Sequence, residues 1–197
     1  MNTNPNSWII VGVALVLAAL VAGLLLHARR KKQSERLERR FGAEYGRTVE
    51  ELGGRAKGES ELRAREKRVD QFDITPLTPS EAARFSEAWT SLQGRFVDNP
   101  KGVVVQADEL VRELMLKRGY PAGDSERRAA DISVDHPSQA DNYRAAQVIA
   151  GRGQRGEADT EELRKAVVHY RTLFDELLQI STSAPEVLLA KPLAANK

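Results

Sequence analysis

The residues best suited to chemistry in this chain are three carboxylates and a histidine that lie close together in sequence, Asp131, Asp135, His136 and Asp141. Such groups bind divalent metals or exchange protons during catalysis, and folding could add His169 to them. An Asp-His-Pro sequence, however, is typical of a helix start, with the proline in the first turn. We therefore predict structural roles here, with no catalytic residue, no metal ligand and no cofactor.

A second group of polar residues is predicted in loops, which carry function more often than the core does. Arg118, Tyr120, Asp135 and His136 are the residues in which we would look first for a binding face. They define one alternative function, a membrane-tethered enzyme or small-ligand binder that uses residues 118–137. The chain contains no cysteine, which excludes thiolate catalysis, disulfides and cysteine-based zinc sites.

The elements that position these residues are predicted to be helices, and the predicted fold class is all-α. Thr78 is a predicted N-cap, followed by proline and by Glu81 at the third position of a capping box. The apolar residues that follow at helical spacing are Phe85, Trp89, Leu92 and Phe96. Residues 73–179 are predicted to form one compact domain of four to five helices.

Other helix boundaries in this domain follow from turn-forming residues. Asn99 precedes a proline that begins a helix, and Gly119 is a predicted left-handed C-cap. Asp159 is predicted to cap the last helix through a second capping box. Residues 132–137 are predicted to be extended, and residues 151–156 to form a glycine-rich loop. Residues 180–197 lack apolar periodicity and are predicted to form a disordered tail.

Residues 27–72 are predicted to form a basic helical connector. Within them, residues 33–52 are predicted as one helix with a narrow apolar stripe that includes Leu37, Phe41 and Tyr45. Residues 59–72 carry too few apolar side chains to bury a surface, and we predict that they are solvated.

The longest apolar run in the chain extends from Trp8 to Leu26 and contains no charged residue. As a helix it would rise about 28 Å, close to the hydrocarbon thickness of a bilayer. Residues 1–7 contain no lysine or arginine and the run ends in basic residues, so a cleaved signal peptide is disfavoured. The sequence predicts an uncleaved single-pass transmembrane helix.

The four residues Arg29, Arg30, Lys31 and Lys32 follow the apolar run. Under the positive-inside rule they predict a short N-terminus, residues 1–7, outside the cell, and a cytoplasmic C-terminal domain. They also predict contact with anionic lipid headgroups. The net charge of the chain is +2, and the positive excess is concentrated next to the apolar run. The distal domain is mildly acidic, which argues against a nucleic-acid partner.

Ala14, Ala18 and Ala22 recur at four-residue spacing within the apolar run. Small residues at this spacing allow two membrane helices to approach closely. A homo-oligomer formed through these residues is therefore a further prediction, and it leads to a second alternative function, an envelope or stress protein that acts by oligomerising.

Several segments together resemble a family of small bacterial proteins with an N-terminal hydrophobic segment and a helical domain. The segments are RRFGAEYGRTVEE, REKRVDQFDITPLTP, RFVDNP, ADELV, LMLKRGYP, SVDHP and NYRAA. Asn99 departs from the acidic residue expected at its position. The resemblance implies a bacterial envelope setting and no particular activity, and the predicted anchor places the chain in the inner membrane. Combined with the anchor, it favours a non-enzymatic membrane adaptor that binds an unknown protein partner.

Overall fold

The computed structural model describes residues 7–179, and within that range the chain forms eight α-helices and no β-strand. The predicted all-α fold class is therefore confirmed for these residues. The helices are α1 Ser7–Phe41, α2 Ala43–Glu51, α3 Arg55–Val69, α4 Pro79–Gly94, α5 Pro100–Arg118, α6 Ser125–Asp135, α7 Pro137–Gln154 and α8 Thr160–Gln179.

The chain divides after Leu62 into two compact units, and the division falls within α3. The first unit contains α1, α2 and the beginning of α3. The second unit contains the end of α3 and the helices α4 to α8, which is five helices where four to five were predicted.

The first unit differs from the prediction for residues 33–52. Helix α1 runs for 35 residues without interruption from the apolar run to Phe41. Gly42 then adopts a φ of +53°, in the left-handed region that favours glycine, and a separate helix α2 begins at Ala43. The prediction of one helix over residues 33–52 was therefore wrong, because Gly42 breaks it.

The prediction of a solvated segment at residues 59–72 was also wrong. Leu62 is completely buried in the first unit, and Val69 is buried in the second. The segment contains few apolar residues, but Leu62 and Val69 are directed into the interior, and the charged residue Glu59 is buried as well.

The second unit is built around one apolar core to which each of its helices α4 to α8 contributes. Trp89 of α4 packs against Phe174 of α8, with ring centroids 4.6 Å apart. Tyr143 of α7 meets Tyr170 of α8 edge to face at 6.0 Å. These contacts explain the stripe predicted in α4, where Phe85, Trp89 and Leu92 are buried.

The capping boxes predicted at Thr78 and Asp159 are confirmed. Thr78 accepts a hydrogen bond from the Glu81 backbone N–H, and the Glu81 carboxylate accepts one from the Thr78 N–H. Asp159 and Glu162 form the same reciprocal pair. Asn99 caps α5 by accepting a hydrogen bond from Gly102 N–H at 3.0 Å. Each cap satisfies backbone donors that a helix leaves without internal partners.

Two predicted interruptions in the second unit were wrong. Residues 132–135 were predicted to be extended but complete helix α6. Residues 151–154 were predicted to lie in a loop but continue α7. At Gly153 a Cβ atom would lie 2.7 Å from Leu163 Cδ2, so the glycine permits close packing of α7 and α8. Tertiary packing overrides the weak helix propensity of glycine here.

Among the residues that the structure describes, no helix combines the length and the apolar character needed to cross a bilayer. Some of the residues predicted to form the membrane span, Trp8 and Ala14 among them, have side chains that the structure does not describe. The predicted span and the predicted pairing through Ala14, Ala18 and Ala22 stay predictions. Residues 1–6 and 180–197 lie outside the described range.

Candidate functional site

The described apolar side chains at the start of α1 are exposed, with no other described residue covering them. Their exposed fractions lie between 55% and 71%. Leu15 and Leu26 lie on one side of the helix, and Leu17 and Leu24 lie on the opposite side, because successive residues are 100° apart. The complete set is Leu15, Leu17, Leu20, Val21, Leu24, Leu25 and Leu26. Uncovered apolar surface of this extent marks a site of interaction.

Four exposed cations follow this surface directly on the same helix, at Arg29, Arg30, Lys31 and Lys32. Because four consecutive residues of a helix turn through about 300°, these side chains surround the helix. Helix α1 thus carries an uncovered apolar surface followed directly by these four cations, which we call the basic ring.

The remainder of α1 is packed within the first unit. Leu37 and Phe41 are fully buried there. Ser34 is buried as well, and its Oγ donates a hydrogen bond of 2.5 Å to Glu59 Oε1 of α3. The C-terminal part of α1 is therefore fixed within the first unit by buried apolar side chains and by a hydrogen bond to α3.

Glu59 collects three donors on one carboxylate oxygen. In addition to Ser34, Tyr45 OH and Arg55 Nε each donate to Glu59 Oε1 at 2.9 Å. Burial alone would raise the pKa of Glu59, but the three hydrogen bonds outweigh it and hold that pKa below its usual value of 4.5. Glu59 thus connects all three helices of the first unit through its charged form.

The predicted binding face does not form one exposed surface. Arg118 is buried, and its Nη1 donates to the Leu177 carbonyl at 2.8 Å. Tyr120 is buried against Phe72, with ring centroids 6.2 Å apart. Burial, together with the nearby charge of Asp135, raises the pKa of Tyr120 to about 12. Arg118 and Tyr120 are therefore core residues rather than surface ligands.

The other two predicted residues lie nearer the surface. Asp135 is exposed at the end of α6, and His136 links α6 to α7. His136 makes no side-chain cap hydrogen bond, and its Nδ1 lies 3.3 Å from Glu176 Oε1. The helix start predicted from the Asp-His-Pro sequence is found at Pro137, the first residue of α7, whereas Asp135 belongs to α6 and His136 occupies the N-cap position.

The carboxylates considered as metal ligands do not form a group of three in the described part of the chain. Asp131 is buried and accepts two hydrogen bonds from Arg68, from Nε at 2.9 Å and from Nη2 at 2.6 Å. His169 Nδ1 lies 2.8 Å from Asn142 Oδ1. In the described residues no three acidic or histidine side chains come together in a group able to hold a metal ion.

The second unit has a surface groove with a volume of about 320 Å³. We call it the α8 groove, since most of its lining belongs to α8. It is lined by Gln93, Gln139, Val167, Val168, Arg171, Thr172, Asp175 and Glu176. His136 borders it through its contact with Glu176. It was not predicted, because its residues come from three helices that are distant in sequence.

Arg171 connects the α8 groove to the core beneath it. Its Nε donates to Asp175 Oδ2 at 2.7 Å, and its guanidinium lies 5.4 Å from the centroid of the Trp89 ring. The Trp89 indole Nε1 is buried without a hydrogen-bond partner among the described residues. A ligand that displaced Arg171 would therefore change the environment of Trp89.

A polar network also lies between α5, α7 and α8. Gln147 Nε2 donates to Asp108 Oδ1 at 2.5 Å and to Tyr170 OH at 3.0 Å. Arg128 Nε donates to Tyr143 OH at 2.8 Å. Burial, together with the charge of Asp108, raises the pKa of Tyr143 to about 12, so its phenol stays neutral. The network satisfies polar groups in the core and contains no nucleophile paired with a base.

Comparison with known proteins gives no match to a family model, to a curated protein or to a solved structure.

Proposed function

We propose that this protein is a single-pass membrane-anchored adaptor, whose helical second unit binds a protein partner at the membrane surface. The segment from Trp8 to Leu26 of α1 is the anchor in this proposal, and residues 1–7 lie outside the cell. Residues 27–197 lie on the cytoplasmic side of a bacterial inner membrane. Holding a binding domain at a surface raises its effective concentration for any partner located there.

The observation that carries the proposal is the uncovered apolar surface of α1 next to its basic ring. The exposed leucines point in all directions around the helix axis. A protein partner on one side would leave the opposite side in water, whereas hydrocarbon would cover every side. The four cations at one end supply the charge asymmetry that orients membrane helices.

The adaptor role is supported by the α8 groove. It carries amide, hydroxyl and charged groups around two valines, and Val168 is half exposed. Its volume of about 320 Å³ lies at the lower end of the range found for ligand-binding clefts. The enzyme alternative built on residues 118–137 has less support, since Arg118 and Tyr120 are buried.

Two experiments test the anchor and its direction. The full chain, expressed in bacteria, should stay with the membrane fraction after washing with high salt and alkaline carbonate. A C-terminal tag should be protected from protease added to intact cells and digested after lysis. Release of the chain by carbonate would contradict the anchor, and digestion from outside would contradict the orientation.

The adaptor role is tested by photo-crosslinking in cells. A photoreactive amino acid at Val168 should yield a discrete crosslinked product, because Val168 lies in the α8 groove. The matched control places the same residue at Val97, which is 90% exposed and does not line the groove. Equal products from both positions, or none from Val168, would count against binding in the groove.

A further inference from the structure

We infer that Arg29, Arg30, Lys31 and Lys32 form a closed ring that gathers anionic phospholipid headgroups around α1. This inference rests on the proposed membrane anchor and adds the lipid class that the anchor prefers. The chemistry recognised is a lipid phosphate, to which lysine and arginine bind through charge and multiple N–H donors.

The four basic side chains point in different directions around α1. They lie in uninterrupted helix, because α1 continues from Ser7 to Phe41. At 100° per residue the four side chains spread around the circumference instead of forming one stripe. An acidic protein surface would engage one side of such a ring, whereas lipids surround the helix and meet every cation.

The ring is short along the helix axis compared with the thickness of a headgroup layer. From Arg29 to Lys32 the helix rises about 4.5 Å. The headgroup region adds about 5–7 Å to each side of a bilayer's hydrocarbon core. With Leu26 at the edge of the hydrocarbon, Arg29 lies about 4.5 Å and Lys32 about 9 Å beyond it along the helix axis, so the long side chains of Lys31 and Lys32 reach back to the headgroup phosphates.

The basic stretch also ends within one turn on its C-terminal side, away from the apolar surface. Residues 27–34 contain no aspartate or glutamate, and the first acidic residue on α1 is Glu35. Ser34 is already buried by its contact with Glu59. The four cations thus lie between the apolar surface and the first acidic residue of the helix.

The experiment uses the absence of cysteine in this chain. Ala28, which is exposed beside the ring, is replaced by cysteine and labelled with a fluorophore. The full chain is reconstituted into vesicles of phosphatidylglycerol in excess phosphatidylcholine, with bromine quenchers on one lipid or the other. Relative quenching then gives the local ratio of anionic to neutral lipid around α1.

We expect phosphatidylglycerol to be enriched about two- to five-fold over its bulk fraction near the label. Enrichment should disappear in the variant with Arg29→Gln, Arg30→Gln, Lys31→Gln and Lys32→Gln. It should persist in the matched control with Arg29→Lys, Arg30→Lys, Lys31→Arg and Lys32→Arg. One molar salt should also remove it, because the screening length falls to about 3 Å.

The outcomes separate this inference from the proposed function. A chain that fails to float with the vesicles, or is quenched by neither lipid, overturns the anchor and the ring together. A chain that floats and is quenched equally by both lipids retains the anchor and overturns the ring. Enrichment that survives in the four-glutamine variant also overturns the assignment to these residues.

Discussion

Ser34 of α1 and Glu59 of α3 are 25 residues apart in sequence, yet their side chains share a buried hydrogen bond of 2.5 Å. This contact joins the helix that carries the apolar surface to the last helix of the first unit. The carboxylate of Glu59 accepts hydrogen bonds from residues of all three helices, so the contact depends on the charged form of Glu59.

The first prediction concerns this contact. Ser34→Ala should destabilise the packing of α1 on α3 by about 1.5–3 kcal/mol, because it removes a buried hydrogen bond to a charged acceptor. Hydrogen exchange of the α2 and α3 amides in the full chain measures the loss. Ser60→Ala is the control, as Ser60 is an exposed serine beside Glu59 on α3. Equal effects of both changes would show that the hydrogen bond contributes nothing.

The same contact predicts a dependence on pH. The hydrogen bonds hold the pKa of Glu59 below its usual 4.5, so the folded form binds a proton less readily than the unfolded form. The contribution of Glu59 to stability is complete above that usual value and is lost as pH falls through the lower folded pKa. Exchange rates corrected for intrinsic pH effects should show this loss, and Glu59→Gln should reduce it.

Local signals in the sequence were sufficient for much of the second unit. The caps at Thr78, Asn99 and Asp159 involve residues three apart, and Gly119 ends α5 with a φ of +98° as predicted. Long-range contacts were not accessible. Glu59 lies in a highly charged segment, and nothing local reveals that Ser34 and Tyr45 surround it.

The candidate site shows the same limit. The apolar surface and the basic ring are consecutive in sequence and were identified from it. The α8 groove combines α4, α7 and α8, so only the fold brings Gln93 and Gln139 to Glu176. Arg118 and Tyr120 were misplaced because polar residues next to a turn resemble a loop, while here both side chains are directed into the core.

A third prediction compares the effect of an alanine substitution at two glycines. Gly119→Ala should destabilise the second unit, because φ is +98° and the new Cβ would lie 2.1 Å from the Asp73 carbonyl oxygen. We expect a loss of more than about 1 kcal/mol. Gly94→Ala is the matched control at a helical position with open space around it, and it should stabilise by about 0.5–1 kcal/mol. Thermal unfolding of the full chain followed by circular dichroism measures both.

A fourth prediction concerns the ion pair between Arg68 and Asp131. Asp131→Leu or Arg68→Met alone should destabilise the second unit by about 2–4 kcal/mol, because the first leaves the half-buried Arg68 and the second leaves the buried Asp131 without its counter-charge. The double variant Arg68→Met with Asp131→Leu should recover most of that loss. Chemical denaturation of the four proteins forms a double-mutant cycle. Additive losses would show that the two side chains are not coupled.

The last prediction concerns alkaline pH. Burial raises the pKa of Tyr120 and of Tyr143 from 10.0 to about 12, and it raises the pKa of Tyr170 as well. Unfolded tyrosines ionise near pH 10, whereas these three stay neutral in the folded chain. Their contribution to stability is complete below pH 10 and is lost as pH rises toward the folded values, at about 2–3 kcal/mol for each of the first two.

Absorbance of tyrosinate during an alkaline titration checks this prediction. The three phenols should ionise together with loss of helical circular dichroism, because ionisation requires the core to open. Tyr143→Phe should make the free energy of unfolding less steep in the alkaline range, with the helix content unchanged at neutral pH. Ionisation of all the tyrosines near pH 10 with the helices intact would mean that these rings are accessible to water in the folded chain.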